Sequence, residues 1–158
     1  MNFLQQRQNL ITGKQFDGRS SCFADLQCLT TARRWTDLIK AYRRHRHILR
    51  LSPGAHHMLK AAYQVLGDKK AAEREERRAQ YLLRQLLKAG DGSVRKPYLN
   101  SIMSDEQDIL RHLKAEALNQ KAIRHNGKIL HTMLFVDETE FHFDVSHLTK
   151  FMRFNTDQ

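Results

Sequence analysis

Histidine and acidic side chains near the C-terminus are the residues of this sequence most suited to chemistry. Of nine histidines, the best cluster is His131, His142 and Asp144, which a β-hairpin could place on one face. A histidine beside a carboxylate can act as a general base or contribute to a metal site. The alternative is a solvated sheet face with an ordinary cross-strand pair. Because no nucleophile, third ligand or glycine-rich phosphate loop accompanies the cluster, we predict no catalytic residue, no resident metal and no cofactor.

The geometry of this cluster depends on two predicted turns. Asn126-Gly127 lies between two strand-like runs and is the strongest short-range hairpin signal in the sequence. Asp137-Glu138 is predicted to close a second hairpin as a two-residue loop. That register pairs His131 with Asp144 and brings His142 to the same face. The cluster therefore forms only if the loop has two residues.

A stripe of basic residues is the second candidate site. Lys40, Arg43, Arg46 and Arg50 follow at steps of three and four residues on a predicted helix, opposite its apolar stripe. Such a stripe can contact a partner or phosphate groups, and it would give weak nucleic-acid binding without sequence preference. The alternative is a solvated helix face. The sequence contains no recognised nucleic-acid motif and no aromatic interleaving that would favour a specific site.

The composition indicates one ordinary domain or two very small ones. The chain has 158 residues, of which 41% are hydrophobic, and its formal net charge of +10 attracts anionic surfaces. No apolar run is long enough to span a membrane, and the first residues are too polar for a signal peptide, so we expect a cytoplasmic protein without membrane contact. Cys22 and Cys28 have a spacing that suits neither a disulfide nor a metal clamp.

Four helices are predicted before Gly90, after a helical arm and loop in residues 1–19. Their apolar residues recur at steps of three and four, and the short turns between them favour antiparallel packing. Leu59 and Leu83 are expected in the core between helices. Three helices are predicted at Ser20 to Arg33, Thr36 to Leu51 and Ala55 to Leu66, and the fourth carries Ala72, Ala79, Leu83 and Leu86.

Part of this region resembles a degenerate tetratricopeptide repeat. The signature Trp and Gly of the template are replaced by His56 and Lys60, whereas its Leu, Tyr, turn and two alanines are present. The matching residues are Leu59, Tyr63, Gly67-Asp68, Ala72 and Ala79. Such repeats bury their faces only by stacking. We therefore expect the C-terminal third to cap the stack.

The C-terminal third shows strand and helix signals in alternation. A capping box at Ser104-Asp105-Glu106-Gln107 predicts the start of a helix. Strands are expected at Tyr98 to Ile102, Leu118 to His125, Lys128 to Val136 and Thr139 to Val145, and a final helix from Ser146.

The order of these parts resembles a bacterial family of unknown function, known mostly from bacteroidetes-like genomes. The resemblance covers roughly residues 35 to 148. It is carried by the degenerate repeat, Ala89-Gly90-Asp91-Gly92-Ser93, Ile102 to Leu110, Gly127 and Phe141 to Ser146. It implies a tetratricopeptide-like helical half followed by a small β-rich half, and it implies no activity because the family has none assigned. Many members are exported, whereas this chain shows no export signal.

These patterns predict an α+β protein. Tetratricopeptide-like hairpins, about four helices in residues 1–92, are expected to pack with a small antiparallel sheet and one or two helices in residues 93–158 as one compact unit. The predicted function is that of a non-enzymatic protein-interaction module, because helical-repeat surfaces bind proteins more often than they catalyse reactions. The alternatives are an anion or nucleic-acid binder using the basic stripe and a small hydrolase or metal protein at His131, His142 and Asp144.

Overall fold

The protein has an α+β fold, as the sequence predicts. A computed structural model describes residues 2–12, 21–100, 104–146 and 148. The helices in this part of the chain are α1 (Phe3–Thr12), α2 (Ser21–Thr31), α3 (Trp35–Arg44), α4 (Arg46–Leu49), α5 (Pro53–Val65), α6 (Lys69–Ala89) and α7 (Ser104–Leu113). The strands are β1 (Tyr98–Leu99), β2 (Ala117–His125), β3 (Lys128–Phe135) and β4 (Glu140–Asp144).

The chain divides into two compact units whose boundaries differ from the expected regions 1–92 and 93–158. A helical unit comprises Ser20–Arg84, and a sheet unit comprises Met1–Arg19 together with Gln85–Gln158. The N-terminal helix α1 therefore belongs to the sheet unit. The predicted loop in residues 13–19, the end of the first strand at Ile102 and the final helix after Ser146 lie outside the described residues.

The helical unit differs from the prediction in the helix between Thr36 and Leu51. This segment is interrupted at His45, which is half-buried and separates α3 from α4. The next helix begins at Pro53, where Ser52 is the N-cap and its side chain accepts a hydrogen bond from the Ala55 N–H at 3.2 Å. Proline is well suited to the first helical turn because that turn needs no N–H donor.

A tight turn joins α5 to α6. Gly67 has a φ of +82°, a left-handed conformation that glycine adopts without strain, and the Asp68 carboxylate accepts from the Ala71 N–H at 2.9 Å. Leu59 lies in the core, as predicted, with 2% exposure, whereas Leu83 is only half-buried and the neighbouring Leu82 is buried instead. The turn and the buried positions Leu59, Ala72 and Ala79 agree with the repeat template. The tetratricopeptide assignment itself stays a prediction.

The sheet unit contains a mixed sheet in the strand order β1-β4-β3-β2. β2, β3 and β4 are antiparallel neighbours, as expected, and the short β1 pairs parallel with β4. Asn126 and Gly127 have φ values of +48° and +75° and close the β2–β3 hairpin. Both values agree with the predicted two-residue turn.

The predicted register of the second hairpin is wrong by one residue. The loop has three residues, Val136 to Glu138, because the Phe135 N–H donates to the Thr139 carbonyl and the Glu138 N–H to the Phe135 carbonyl, each at 3.0 Å. Only Glu138 takes a positive φ, +64°. A two-residue loop would place Asp137 and Glu138 both in left-handed conformations, whereas a three-residue loop requires one such residue. Because side chains alternate between faces, a shift of one residue exchanges the faces of a whole strand.

Replacement of Gly127 tests the β2–β3 turn. A Cβ atom at this position would meet no atom within 4 Å, so the cost of a side chain comes from the positive φ alone. We expect Gly127→Val to destabilise the sheet unit by about 1–2 kcal/mol, because a left-handed conformation is unfavourable for L-residues and most of all for β-branched ones. Amide hydrogen exchange of β2 and β3 measures the effect. Gly127→Asn is the control and should lose less, since Asn tolerates this conformation; equal stability of both variants with the wild type would contradict the assignment.

Candidate functional sites

The basic stripe lies on the surface of the helical unit. The side chains of Lys40, Arg43, Arg46 and Arg50 are exposed, and the break at His45 interrupts the helix that carries them. Lys40 lies 3.9 Å from Asp37, too far for a strong ion pair. Exposed cations of this kind attract anions generally, and their ion pairs with surface acids contribute little to stability.

The predicted cluster of His131, His142 and Asp144 does not form. In the observed register, His131 pairs with Phe143, Thr132 with His142, and Leu130 with Asp144. His131 therefore lies on the opposite face of the sheet from His142 and Asp144. Among the described residues, no group of three His, Cys, Asp or Glu side chains could hold a metal ion.

His131 instead contacts α7. Its Nδ1 lies 2.9 Å from Glu106 Oε1, and the same oxygen accepts a hydrogen bond from Asn100 Nδ2 at 2.8 Å. The hydrogen bond to Glu106 raises the pKa of His131 above its usual range, and burial opposes this shift. Sequence reasoning missed this pair because Glu106 appeared only as a capping residue of the helix.

His142 and Asp144 have separate partners. His142 Nδ1 lies 2.9 Å from Thr132 Oγ1, and burial lowers the pKa of the His142 imidazole despite Glu140 at 3.8 Å. Burial alone would raise the pKa of Asp144, but Lys128 at 2.8 Å and hydrogen bonds from Ser146 lower it overall. Each side chain is thus held in an internal contact of the sheet unit.

The two histidines should give the stability of the sheet unit opposite pH dependences. His131 has a raised pKa, so its contribution is complete below the ordinary value of 6.5 and is lost as the pH rises through the raised value. His142 has a lowered pKa, so its contribution is present above 6.5 and is lost as the pH falls through the lowered value. We expect His131→Gln to reduce the loss of stability on the alkaline side and His142→Gln to reduce the loss on the acid side. Urea denaturation at a series of pH values measures both; the same change of slope in the two variants would contradict the opposite shifts.

A buried ion pair connects α1 to α7 within the sheet unit. The Arg7 guanidinium donates to both carboxylate oxygens of Asp105, with Nη2 at 3.2 Å from Oδ1, and both side chains are fully buried. Arg7 also lies over the Phe3 ring at 5.1 Å from the centroid. Such a pair is costly to bury and costly to break. It fixes the position of α1 on this unit.

A second buried pair lies inside the helical unit. His56 Nδ1 is 2.6 Å from Glu75 Oε2, and its Nε2 is 3.1 Å from the Arg50 carbonyl oxygen. Burial raises the pKa of Glu75, but His56 and Arg78 outweigh it and the net shift is downward. Both ring nitrogens face oxygen acceptors, so the pair joins α5 to α6. We assign it a structural role.

β2 is the most exposed regular element of the sheet unit. It is an edge strand that pairs only with β3 among the described strands. Of its nine residues, all are exposed except Ile123 and His125, which are half-buried. The strand carries Lys121 and Arg124 but no acidic residue, and a register shift occurs between Ala117 and Asn119. Long exposed edges are uncommon because they offer unpaired backbone groups to other chains.

The hydrogen-bonding pattern shows which backbone groups of β2 face outward. The Asn126-Gly127 turn is flanked by His125 and Lys128, which form the closing hydrogen-bonded pair of the hairpin. From this pair onward, hydrogen-bonded and non-hydrogen-bonded pairs alternate, so the even-numbered residues of β3 form hydrogen bonds to β2. The odd-numbered residues of β3 face β4 instead, as the hydrogen bond from the Val145 N–H to the Ile129 carbonyl shows. The N–H and C=O groups of Gln120, Ala122 and Arg124 therefore point away from β3, and the Gln120 N–H donates to the Asn119 side-chain oxygen at 2.7 Å.

A hollow lies at the start of β2. Its volume is about 620 Å³, and its apolar lining consists of Leu113, Ala115, Phe135, Val136 and Phe141. Lys114, Glu116, Asp137 and Thr139 supply its polar lining. The Phe135 and Phe141 rings lie 5.0 Å apart, and the Val136 side chain is 77% exposed. Leu118, on β2 itself, is 66% exposed. Apolar side chains are thus accessible beside an open strand edge.

Comparisons with known proteins leave the family resemblance a prediction. No family model matches the chain, and neither a curated protein nor a solved structure is significantly similar to it. Within the described residues, no helix combines the length and the apolar content that a membrane crossing requires.

Proposed function

We propose that this chain is a non-enzymatic protein-interaction module that binds an extended segment of a partner protein along β2. The observation that carries the proposal is the exposed outer edge of this strand, with the backbone groups of Ala122 and Arg124 directed outward. An extended segment that adds to such an edge gains main-chain hydrogen bonds, and neighbouring pockets select its side chains.

The hollow beside β2 supports the same function. An added strand that runs along the first residues of β2 passes next to Ala117, whose partner Phe135 lines the hollow. Buried apolar anchors contribute most of the affinity of protein interfaces. The hollow borders the residues that lead into β2, so we expect backbone pairing and a side-chain anchor to combine at this end of the strand. The cytoplasm is the proposed location.

Replacement of Ala122 by Pro tests this proposal. Proline lacks an N–H group and is tolerated on the outer side of edge strands, so Ala122→Pro removes one outward donor and leaves the β2–β3 hydrogen bonds in place. We expect the variant to lose its cellular protein partners in affinity capture while its thermal unfolding stays close to that of the wild type. Ala122→Ser is the matched control, because it keeps the N–H group and should keep the partners.

The basic stripe provides the competing outcome. If Arg43, Arg46 and Arg50 are all replaced by Gln and every partner is lost, while Ala122→Pro retains them and nuclease treatment releases them, the chain is an anion or nucleic-acid binder. Binding of that kind falls linearly with the logarithm of the salt concentration, by about 0.9 per neutralised phosphate of duplex DNA. Protein binding anchored by apolar contacts should weaken less with salt.

A further inference from the structure

We infer that the segment bound along β2 is acidic and carries a large apolar side chain that enters the hollow. This inference rests on the proposed function and specifies the chemistry of the partner. It commits to an antiparallel strand, in which two acidic residues three positions apart lie opposite Lys121 and Arg124 and an apolar residue follows opposite the start of β2.

The charge of the strand carries the first part of the inference. Lys121 and Arg124 are the only two residues of β2 with a permanent charge, and three positions separate them, so their side chains point to opposite faces. Lys121 lies 3.4 Å from Glu140 but keeps 62% of its side chain exposed. Opposite charges directly across an antiparallel pair are favourable, and like charges are unfavourable. An added strand therefore gains from one acidic residue on each face.

The same charges disfavour a second copy of this chain as the occupant. Pairing of β2 with β2 from another molecule would put four cations and no acid into one two-stranded ladder, whatever the register. The register shift near Leu118 also disturbs the regular edge that symmetric pairing needs. A partner strand with acidic residues has neither disadvantage.

The hollow carries the second part of the inference. Leu113 and Val136 are 38% and 77% exposed, and the Phe135 and Phe141 side chains also line the hollow. A volume of about 620 Å³ is larger than a Phe or Leu side chain requires. Burial of that side chain supplies the apolar anchor that a short polar strand lacks.

Synthetic peptides test the inference on the full chain. The probe is a Thr-rich, fluorescein-labelled peptide with two Glu residues three positions apart and a Phe three residues after the second Glu. Matched peptides replace both Glu residues by Lys, replace Phe by Ala, or carry a central Pro. We expect measurable binding of the probe by fluorescence anisotropy and about tenfold or greater weakening for each matched peptide.

Protein variants assign the binding to β2. The double variant Lys121→Glu, Arg124→Glu should reverse the preference from the Glu peptide to the Lys peptide, which a loss of folding cannot do. Val136→Asn makes the hollow more polar without adding charge, so it should weaken the Phe peptide to the level of the Ala peptide and leave the Ala peptide unchanged. Val136 is largely exposed, so this variant should unfold at the wild-type temperature. Reversal of preference supports the inference, and unchanged preference overturns it.

Three further outcomes separate failure of this inference from failure of the proposed function. If no acidic peptide binds while Ala122→Pro still loses its cellular partners, β2 is an interaction edge and the inferred chemistry of the partner is wrong. If Ala122→Pro also retains them, both proposals fall. If single-stranded RNA binds with an affinity that the charge reversal removes and Ala122→Pro does not change, the edge is a polyanion surface and the inference is overturned.

Discussion

Asp105→Ala should destabilise the sheet unit by about 3–5 kcal/mol, because it removes the counter-charge of the fully buried Arg7 guanidinium. A buried cation without its carboxylate partner retains its desolvation cost and loses the attraction that offsets that cost. Urea denaturation followed by far-ultraviolet circular dichroism measures the change. Amide exchange in α1 and α7 should rise together, since the pair joins these two helices.

A double replacement separates the cost of breaking the pair from its net worth. Arg7→Met with Asp105→Leu removes both charges and keeps apolar volume, so we expect it to recover most of the stability lost in Asp105→Ala. Asp37→Ala is the matched control at an exposed pair, where Arg34 lies 2.7 Å from the carboxylate, and it should change stability by less than about 1 kcal/mol. If Asp105→Ala and Asp37→Ala cost the same, the buried pair contributes no more than a surface pair.

Leu59→Ala should destabilise the helical unit by a comparable amount, about 2–5 kcal/mol, because it leaves a cavity where a side chain with only 2% exposure was packed. Trp35, the single tryptophan of the chain, lies in this unit, so its fluorescence follows the unfolding of these helices. The range is wide because the cost depends on how far the neighbours can close around the lost side chain.

A substitution on the same helix provides the control. Val65 is 62% exposed at the end of α5, so Val65→Ala should change stability by no more than about 0.5 kcal/mol. If Leu59→Ala has the stability of the wild type, Leu59 is not a core residue. Leu82→Ala should cost more than Leu83→Ala, because Leu82 is buried and Leu83 is only half-buried.

Local signals explain why much of the fold could be predicted. Asn126-Gly127 defined a hairpin because Asn and Gly adopt the left-handed conformations of a two-residue turn more easily than other residues. Gly67-Asp68 marked a turn for a similar local reason. The helix predicted from Ala55 begins earlier, at Pro53, because Ser52 caps it and proline fits its first turn. Apolar periodicity identified the helices and placed Leu59 in the core, but it selected Leu83, which is half-buried, in place of the adjacent buried Leu82.

The candidate site could not be predicted in the same way. The loop after β3 has three residues instead of two, and this one residue moved His131 away from His142 and Asp144. The actual partner of His131 is Glu106, on a helix that precedes both hairpins. Arg7 and Asp105 are 98 positions apart, and no spacing rule connects them. A side chain at Gly90 would collide with the backbone of Pro97, and no local pattern predicts that contact.

The sequence by itself determined the α+β class, most of the helices, the Asn126-Gly127 hairpin and the excess of positive charge, because each follows from local conformational preference or composition. Only the tertiary structure decided which faces and edges meet. It placed β1 beside β4 and left β2 at the edge, it buried Arg7 against Asp105, and it opened a hollow between residues of α7, β3 and β4 and their loops. These features depend on contacts between distant segments, whose geometry is set by packing and not by the residues within any one segment.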